Sequence, residues 1–362
     1  MSPNKKLNIV MLSPFFYPHK GGVEHHVFKV SKELLNIGNK VTIITTLHEK
    51  NLPTNDEIDG IKIIRLQRNR LPVIGTILSI ISFFRYTPLI RRASIIHCHD
   101  YQMLLWFMAF RILFPFKKVF ITFHGWEGDY PPKKSVIFIR KISEFLTSGN
   151  ICIGEFIEKW YLTKADLISY GGVDTHELNR QVPYSDIILL SRISEDVPIK
   201  EYLASFKLLK EKYNRKVKIF FLGNGELLTY AQKFASDNNL DISFLGFVDN
   251  PIAYIKQSKI IIANGYLAIL ESAAYKKPIF AIYQNELMKD RLALFKYSHD
   301  FISISDNAEN FAHKINEYLA NPSGQFHFER AWKWAINQSW TNLANQYMKL
   351  WESKGIITRF HA

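Results

Sequence analysis

Several short segments hold side chains whose types and spacing suit work on an anion or a sugar. Gly21-Gly22-Val23-Glu24 follows an apolar run and opens an amphipathic pattern. Paired glycines at a helix N-terminus let the backbone approach a diphosphate closely, where free N–H groups and the helix dipole favour negative charge. The plainer account is a pair that merely makes the turn. It is not a dinucleotide fingerprint, because G-x-G-x-x-G directly after a strand is absent. Two further strand ends carry histidine, in Ile96-His97-Cys98-His99-Asp100 and in Thr122-Phe123-His124-Gly125. An imidazole there can donate to a sugar hydroxyl or a phosphate oxygen, or move a proton near neutral pH. A satisfied structural histidine is the competing account. His97 and His99 fall on one side of an extended segment, but no clear third and fourth ligand accompanies them, so no metal is expected.

The second half repeats the arrangement with different chemistry. Ser191-Arg192-Ile193 and Leu222-Gly223-Asn224-Gly225-Glu226 each close an apolar run. An arginine at a strand end suits phosphate because its planar fork gives bidentate, charge-assisted bonds, and a surface ion pair is the alternative. Ala263-Asn264-Gly265-Tyr266 leads into a helical stretch whose first amides would face an anion. Glu271 sits on that otherwise apolar helix. Its carboxylate needs a partner there, either a ribose diol or a buried salt bridge.

These side chains act together only if a sheet delivers them to one end. Short β-rich runs alternate with helical periodicity along the chain, which is the pattern of parallel βαβ units. Strands are expected near 7–12, 40–46, 61–66, 94–97, 118–123, 150–153 and 166–169, and in a second series near 187–191, 217–222, 242–246, 258–262 and 278–282. Helices are expected near 22–37, 73–90, 101–113, 135–147, 154–162, 199–213, 226–238, 251–256, 267–275 and 306–320. Turn formers cluster between Gly171 and Asp186, and the pattern after about 325 is helical with an aromatic stripe, Trp332, Trp334, Trp340, Tyr347 and Trp351, read as packing. The expected domains are therefore 1–178, 179–325 and a helical segment 326–362. Such sheets bind ligands beyond the carboxyl ends of their strands.

Composition narrows the class. With 362 residues, 47% hydrophobic and 22% charged, the chain suits a two-domain globular protein and excludes fibrous or low-complexity ones. Two cysteines, Cys98 and Cys152, cannot build a disulfide framework or a structural zinc site, and point to a reducing compartment. The net charge of +13 is uneven, +9 over residues 1–180 and +4 over the rest, so an anionic partner is expected. No nucleic-acid module is recognisable, and the positive charge is scattered through the βαβ pattern, so nucleic acid is not the expected partner. The start, MSPNKKLNIVMLSPFF, reads as a buried strand rather than a signal peptide. The longest uncharged apolar window, Leu71–Phe84, has 14 residues, short of the roughly 20 that span a bilayer, so no transmembrane helix is expected. The stretch 71–92 pairs apolar residues with Arg85, Arg91 and Arg92, as an interfacial helix does, although a buried helix with solvated basic ends has the same pattern.

In order and spacing, these segments resemble the retaining, nucleotide-sugar-dependent glycosyltransferases of family 4. The resemblance rests on Gly21-Gly22-Val23-Glu24, the His97–His99 segment, Thr122-Phe123-His124-Gly125, Gly172-Val173-Asp174, Ser191-Arg192, Gly223-Asn224-Gly225, Phe244-Leu245-Gly246-Phe247 and Glu271-Ser272-Ala273-Ala274 with Lys277-Pro278. It implies an α/β fold of the GT-B type, two facing Rossmann-like domains with a C-terminal helical segment, the one around Trp340, crossing back to the first. It implies transfer of a sugar from a UDP- or GDP-sugar to a glycan or lipid-linked acceptor hydroxyl in cell-surface glycan assembly, with no permanently bound cofactor and no metal. It gives catalytic roles to His124 and Arg192 and donor-binding roles to Gly21, Gly22, Gly223, Phe247, Gly265, Tyr266 and Glu271, and it places His99 on the acceptor side. It also fits a cytoplasmic protein held peripherally, through 71–92, at the inner face of the plasma membrane. Two positions depart from the family pattern. Ala263 stands where an acidic residue usually contacts the transferred sugar, and Val197 stands where a lysine usually balances the leaving diphosphate. Lys200 is the candidate substitute. The departures keep a second reading open, a catalytically impaired GT-B-fold protein that binds a nucleotide or glycan without turnover.

Overall fold

The structure, a computed structural model, describes residues 6–67, 81, 83–125, 128–174, 181–322 and 325–354. It divides into two compact units. Unit 1 comprises Met1–Gly172 with Trp340–Ala362, and unit 2 comprises Val173–Ser339.

Unit 1 is built on eight strands: β1 (Asn8–Leu12), β2 (Lys40–Leu47), β3 (Asn55–Ile58), β4 (Ile61–Gln67), β5 (Ile95–His99), β6 (Val119–Phe123), β7 (Gly149–Ile153) and β8 (Leu167–Ser169), in the order β3-β4-β2-β1-β5-β6-β7-β8. All neighbours are parallel except the β3–β4 edge pair. Strands β5, β6 and β7 are buried at every position, so their sequences show no alternation of buried apolar and exposed polar residues, and His97, His99 and Asn150 are buried with the rest. The chain runs outward from β1 on one side and returns to β5 on the other. The strand order therefore reverses at β1/β5, the place where open α/β sheets bind ligands.

Unit 2 repeats the plan with β9 (Ser185–Leu190), β10 (Ile219–Leu222), β11 (Ile242–Gly246), β12 (Ser258–Ala263), β13 (Ile279–Ile282) and β14 (Ile302–Ser305), all parallel, in the order β11-β10-β9-β12-β13-β14. Its switch point lies between β9 and β12. Helix Ile199–Glu211 buries Tyr202, Leu203, Phe206 and Leu209 against that sheet.

Some elements differ from expectation. β3, with sequence NDEI, is an exposed polar edge and has no apolar pattern to announce it. β14, ISIS, and the helices Glu286–Ala293 and Ser298–Phe301 fall in a stretch whose periodicity is broken. The helix expected over 73–90 lies largely outside the described residues, and the described part is a 3-10 turn, Phe84–Tyr86, followed by helix Thr87–Arg92. The chain leaves unit 1 at Gly172 rather than at 178, and the segment 326–362 is not one element. Helix Phe328–Ala335 belongs to unit 2, where Val173 donates to Gln338 O at 2.8 Å, and helix Trp340–Ser353 belongs to unit 1. Gly172 must be glycine, because a Cβ there would lie 2.6 Å from the Trp340 ring.

Candidate active site

In unit 2 the candidate residues stand on the loops that follow β9, β10 and β12. Arg192 is the second residue after β9. Its Nη2 lies 2.5 Å from Asp196 Oδ2, and its side chain remains 66% exposed. Such an exposed pair is worth about 0.2–1 kcal/mol, so a dianionic ligand can take the guanidinium from Asp196. Lys200 opens the following helix and is 3.2 Å from both Glu195 carboxylate oxygens. Gly223 and Gly225 serve this loop from behind, since Cβ atoms there would run into the carbonyl oxygens of Ser191 and Ile193. They allow β10 and β9 to close together, with Ile193 N donating to Asn224 O at 3.0 Å. The resemblance gave Gly223 to the donor, whereas in this structure its close neighbour is the backbone that carries Arg192.

Gly265 is the extended N-cap of helix Tyr266–Ala274, and no side chain caps that end. Its first-turn amides are the kind that accept an anion. The Tyr266 side chain points elsewhere, buried with its hydroxyl donating to Arg291 O at 2.9 Å, which leaves only its backbone for a ligand. Glu271 is half-buried on the second turn of the helix, and Phe247, just after β11, is 49% exposed. Of the two departures, Val197 is packed into the unit 2 core and Ala263 is fully buried at the end of β12. Asn264 is engaged internally, accepting from Tyr202 Oη at 2.6 Å and donating to Ile282 O at 3.1 Å.

Unit 1 has the opposite character. Gly21 is the extended N-cap of helix Gly22–Asn36, and a Cβ on it would strike the Glu24 carboxylate, which folds back over the first turn and lies 3.0 Å from His19 Nδ1. The helix thus supplies an anion of its own beside Gly21, while Gly22 has open space where its Cβ would be. His99 and His124, on the ends of neighbouring strands β5 and β6, share a 2.8 Å Nδ1···Nε2 hydrogen bond. His124 N donates to Asp100 Oδ1 at 3.0 Å. Asp100 has φ of 66° and ψ of 155°, a positive-φ conformation that costs a non-glycine residue energy and that gathers at functional sites. Burial pushes the His124 imidazole down to about 3 and, helped by repulsion among neighbouring rings, holds His26, His97 and His99 well below the usual histidine range. These rings are neutral at pH 7. His124 can therefore exchange hydrogen bonds with a hydroxyl, but it supplies no positive charge.

Sequence reasoning missed the surroundings of this pair. His26 stands edge-on to His124 with ring centroids 4.9 Å apart, and Thr122, Tyr347 and Trp351 are buried around the neighbouring His97. The aromatic stripe revealed packing but gave no sign that two of its polar tips reach histidines. Among the described residues no group of three or more His, Cys, Asp or Glu side chains could hold a metal ion.

Two units, each a largely parallel sheet with candidate residues at or just beyond the carboxyl ends of its strands, have the architecture of GT-B-type glycosyltransferases. The pattern described as Glycosyltransferase Family 4 matches residues 20–176, and that described as Glycosyl transferases group 1 matches residues 175–336. The chain belongs to this glycosyltransferase family. Among curated proteins, a human phosphatidylinositol N-acetylglucosaminyltransferase subunit is 35% identical over 99 residues, 26% of this chain and 20% of that protein, so the matched stretch spans about a fifth of the relative. Among solved structures, sucrose-phosphate synthase from Thermosynechococcus elongatus superposes with a TM-score of 0.71 at 13% identity, over 96% of this chain and 98% of that one. TarM of S. aureus, in complex with fondaparinux, alpha-GlcNAc-glycerol and UDP, gives 0.71 at 15% identity over 95% and 99%. At these identities the structural likeness establishes the fold.

Proposed function

We propose that the protein transfers a sugar, with retained anomeric configuration, from a nucleotide-sugar to an acceptor hydroxyl. The observation that carries this is the switch point of unit 2, where an exposed arginine and an uncapped helix N-terminus stand on the loops after the adjacent strands β9 and β12. Retaining transfer develops positive charge at the anomeric carbon and negative charge on the departing diphosphate, so catalysis is largely positioning and electrostatic stabilisation. Arg192 leaves Asp196 for the diphosphate, and Lys200, paired at the surface with the exposed Glu195, supplies the second cation that Val197 cannot. The amides at Gly265 take phosphate oxygens, Glu271 the ribose, and Phe247 offers a face to the base. In unit 1 we assign Gly22 to the anionic side of the donor, neutral His124 to a sugar hydroxyl, and His99 to the acceptor side. No step here requires a metal.

The UDP bound to TarM supports a uridine donor, with a GDP-sugar as the alternative. The human relative, named for phosphatidylinositol, supports a lipid-linked acceptor. Among the described residues no helix is long and apolar enough to cross a membrane. Ile81, Phe84, Leu113 and Phe116 are exposed on unit 1, and Arg85, Arg91 and Arg92 lie in the same 81–92 stretch as the first two. That combination suits a cytoplasmic enzyme held peripherally on an anionic leaflet. The test is a panel of UDP- and GDP-sugars with a polyprenyl- or inositol-lipid acceptor, with and without EDTA. Product of retained configuration in EDTA supports the proposal. Nucleotide binding without transfer or donor hydrolysis would establish instead the non-catalytic reading that Val197 and Ala263 keep open.

A further inference from the structure

Helix Trp340–Ser353 closes a hydrogen-bonded chain through the buried histidines of unit 1. Trp351 Nε1 is 3.1 Å from His97 Nδ1, His97 Nε2 is 2.7 Å from Thr122 Oγ1, Thr122 Oγ1 is 2.9 Å from Tyr347 Oη, and Tyr347 Oη is 2.9 Å from His26 Nε2. We propose that Tyr347 and Trp351 are positioning residues, which run this chain in one direction only and so lock the strand ends bearing His99 and His124, and the helix opened by Gly21-Gly22, into a single arrangement. The inference deepens the function above and rests on it for its catalytic consequence, but not for its geometry.

The direction follows from what each group can donate. An indole N–H has no lone pair to offer, so His97 Nδ1 must accept. The neutral His97 ring then carries its proton on Nε2 and donates to Thr122. The Thr122 hydroxyl has no other acceptor among the described residues, so it donates to Tyr347, and the phenol in turn donates to His26 Nε2. His26 is left with its proton on Nδ1. Reversing any link sets two donors face to face or leaves a buried hydroxyl proton without an acceptor, a loss that buried polar groups tolerate poorly. Tyr347 thereby joins the helix of the glycine pair to β6, and Trp351 joins the same C-terminal helix to β5. His97 is two residues from His99, Thr122 is two from His124, and the His26 ring packs on His124, so each held group lies next to a candidate site residue.

The experiment uses the full chain with 15N-labelled histidine and reads tautomers from long-range 15N–1H correlations, assigned with Tyr347→Phe and Trp351→Phe. In the wild type, His97 is expected as the Nε2–H form and His26 as the Nδ1–H form. Tyr347→Phe, nearly isosteric, is expected to end the single-tautomer state of His26 and to lower kcat by roughly 10- to 100-fold with KM for the donor unchanged. Trp351→Phe is expected to do the same at His97. The opposite tautomer of either ring in the wild type overturns the chain. Variants that lower the melting temperature while leaving tautomers and kcat as they were would make both side chains packing alone and overturn the positioning role. Because the tautomer measurement needs no turnover, a protein inactive toward every donor would overturn the proposed function and still leave this arm decisive.

Discussion

The histidine pair of unit 1 and the arginine loop of unit 2 sit at equivalent places, beyond the strand ends beside a switch point, yet their physics is opposite. Around His99 and His124 the imidazoles are buried and neutral, and the pair shares a hydrogen bond, with His99 Nε2 left without a partner among the described residues. Around Arg192 they are exposed, charged and loosely paired. The contrast follows from cost. A permanent charge as deeply buried as His99 would have to be desolvated without a counter-ion, whereas a guanidinium at the surface waits in water, cheaply paired, for a dianion strong enough to draw it away. One region is preorganised by geometry and the other recruited by charge, and the two should fail differently.

The largest separation is expected with acid. The four buried histidines have their native pKa values depressed below the unfolded value near 6.5, His124 to about 3. Above pH 6.5 both native and unfolded states hold these rings neutral, and the full stability is present. As pH falls below 6.5 the unfolded chain takes up protons that the native rings refuse, and each ring costs about 1.4 kcal/mol per pH unit until its native pKa is reached. Denaturant midpoints measured from pH 7.5 to 5 should therefore fall steeply for unit 1, and a flat profile would refute the neutral cluster. Arg192→Ala should do the reverse. It is expected to lower kcat by about 100- to 1000-fold, the scale of removing one charged donor to a developing negative charge. Its melting temperature should hardly move, because the side chain is exposed and its partner Asp196 partly so. A retained rate would remove Arg192 from the site. Gly223→Ala comes next in size. Its Cβ meets the Ser191 carbonyl, so a loss on the order of 2–3 kcal/mol is expected in unit 2, whereas Gly22→Ala, with open space, should leave stability almost unchanged. Similar midpoints for the two variants would contradict the close approach of the β9 and β10 loops.

What could be read from the chain follows the same division. Strands such as VFITF and IFFL announce themselves because burial on both faces demands nearly continuous apolar runs, and strand-end residues such as His124 and Arg192 are then located by counting. β3 could not be read, since a polar edge strand has no face to bury. The network around the histidines could not be read either, because its partners are 321 residues apart for His26 and Tyr347 and 254 for His97 and Trp351. Helical periodicity reports that an aromatic ring is buried but says nothing of where its single polar atom points. Gly223 has its donor role from the family resemblance alone, and the packing reason for a glycine there, a Ser191 carbonyl where a Cβ would stand, shows only in the structure.

The smallest effect tests the loose pairing directly. Asp196 lies 2.5 Å from Arg192 and also accepts from the Ser194 hydroxyl, and at the surface the ion pair contributes less than about 1 kcal/mol. Asp196→Asn keeps the hydrogen-bonding shape and removes the charge that competes with a diphosphate for the guanidinium. If Arg192 is recruited from Asp196 on binding, the variant should bind UDP up to about 5-fold more tightly, since that cost is no longer met. The gain should shrink as salt is raised, because screening already weakens the competing pair in the wild type. Isothermal titration at two ionic strengths reads both effects. Weaker binding in the variant would mean that Asp196 orients Arg192 rather than restrains it, and would move unit 2 closer to the preorganised character of unit 1.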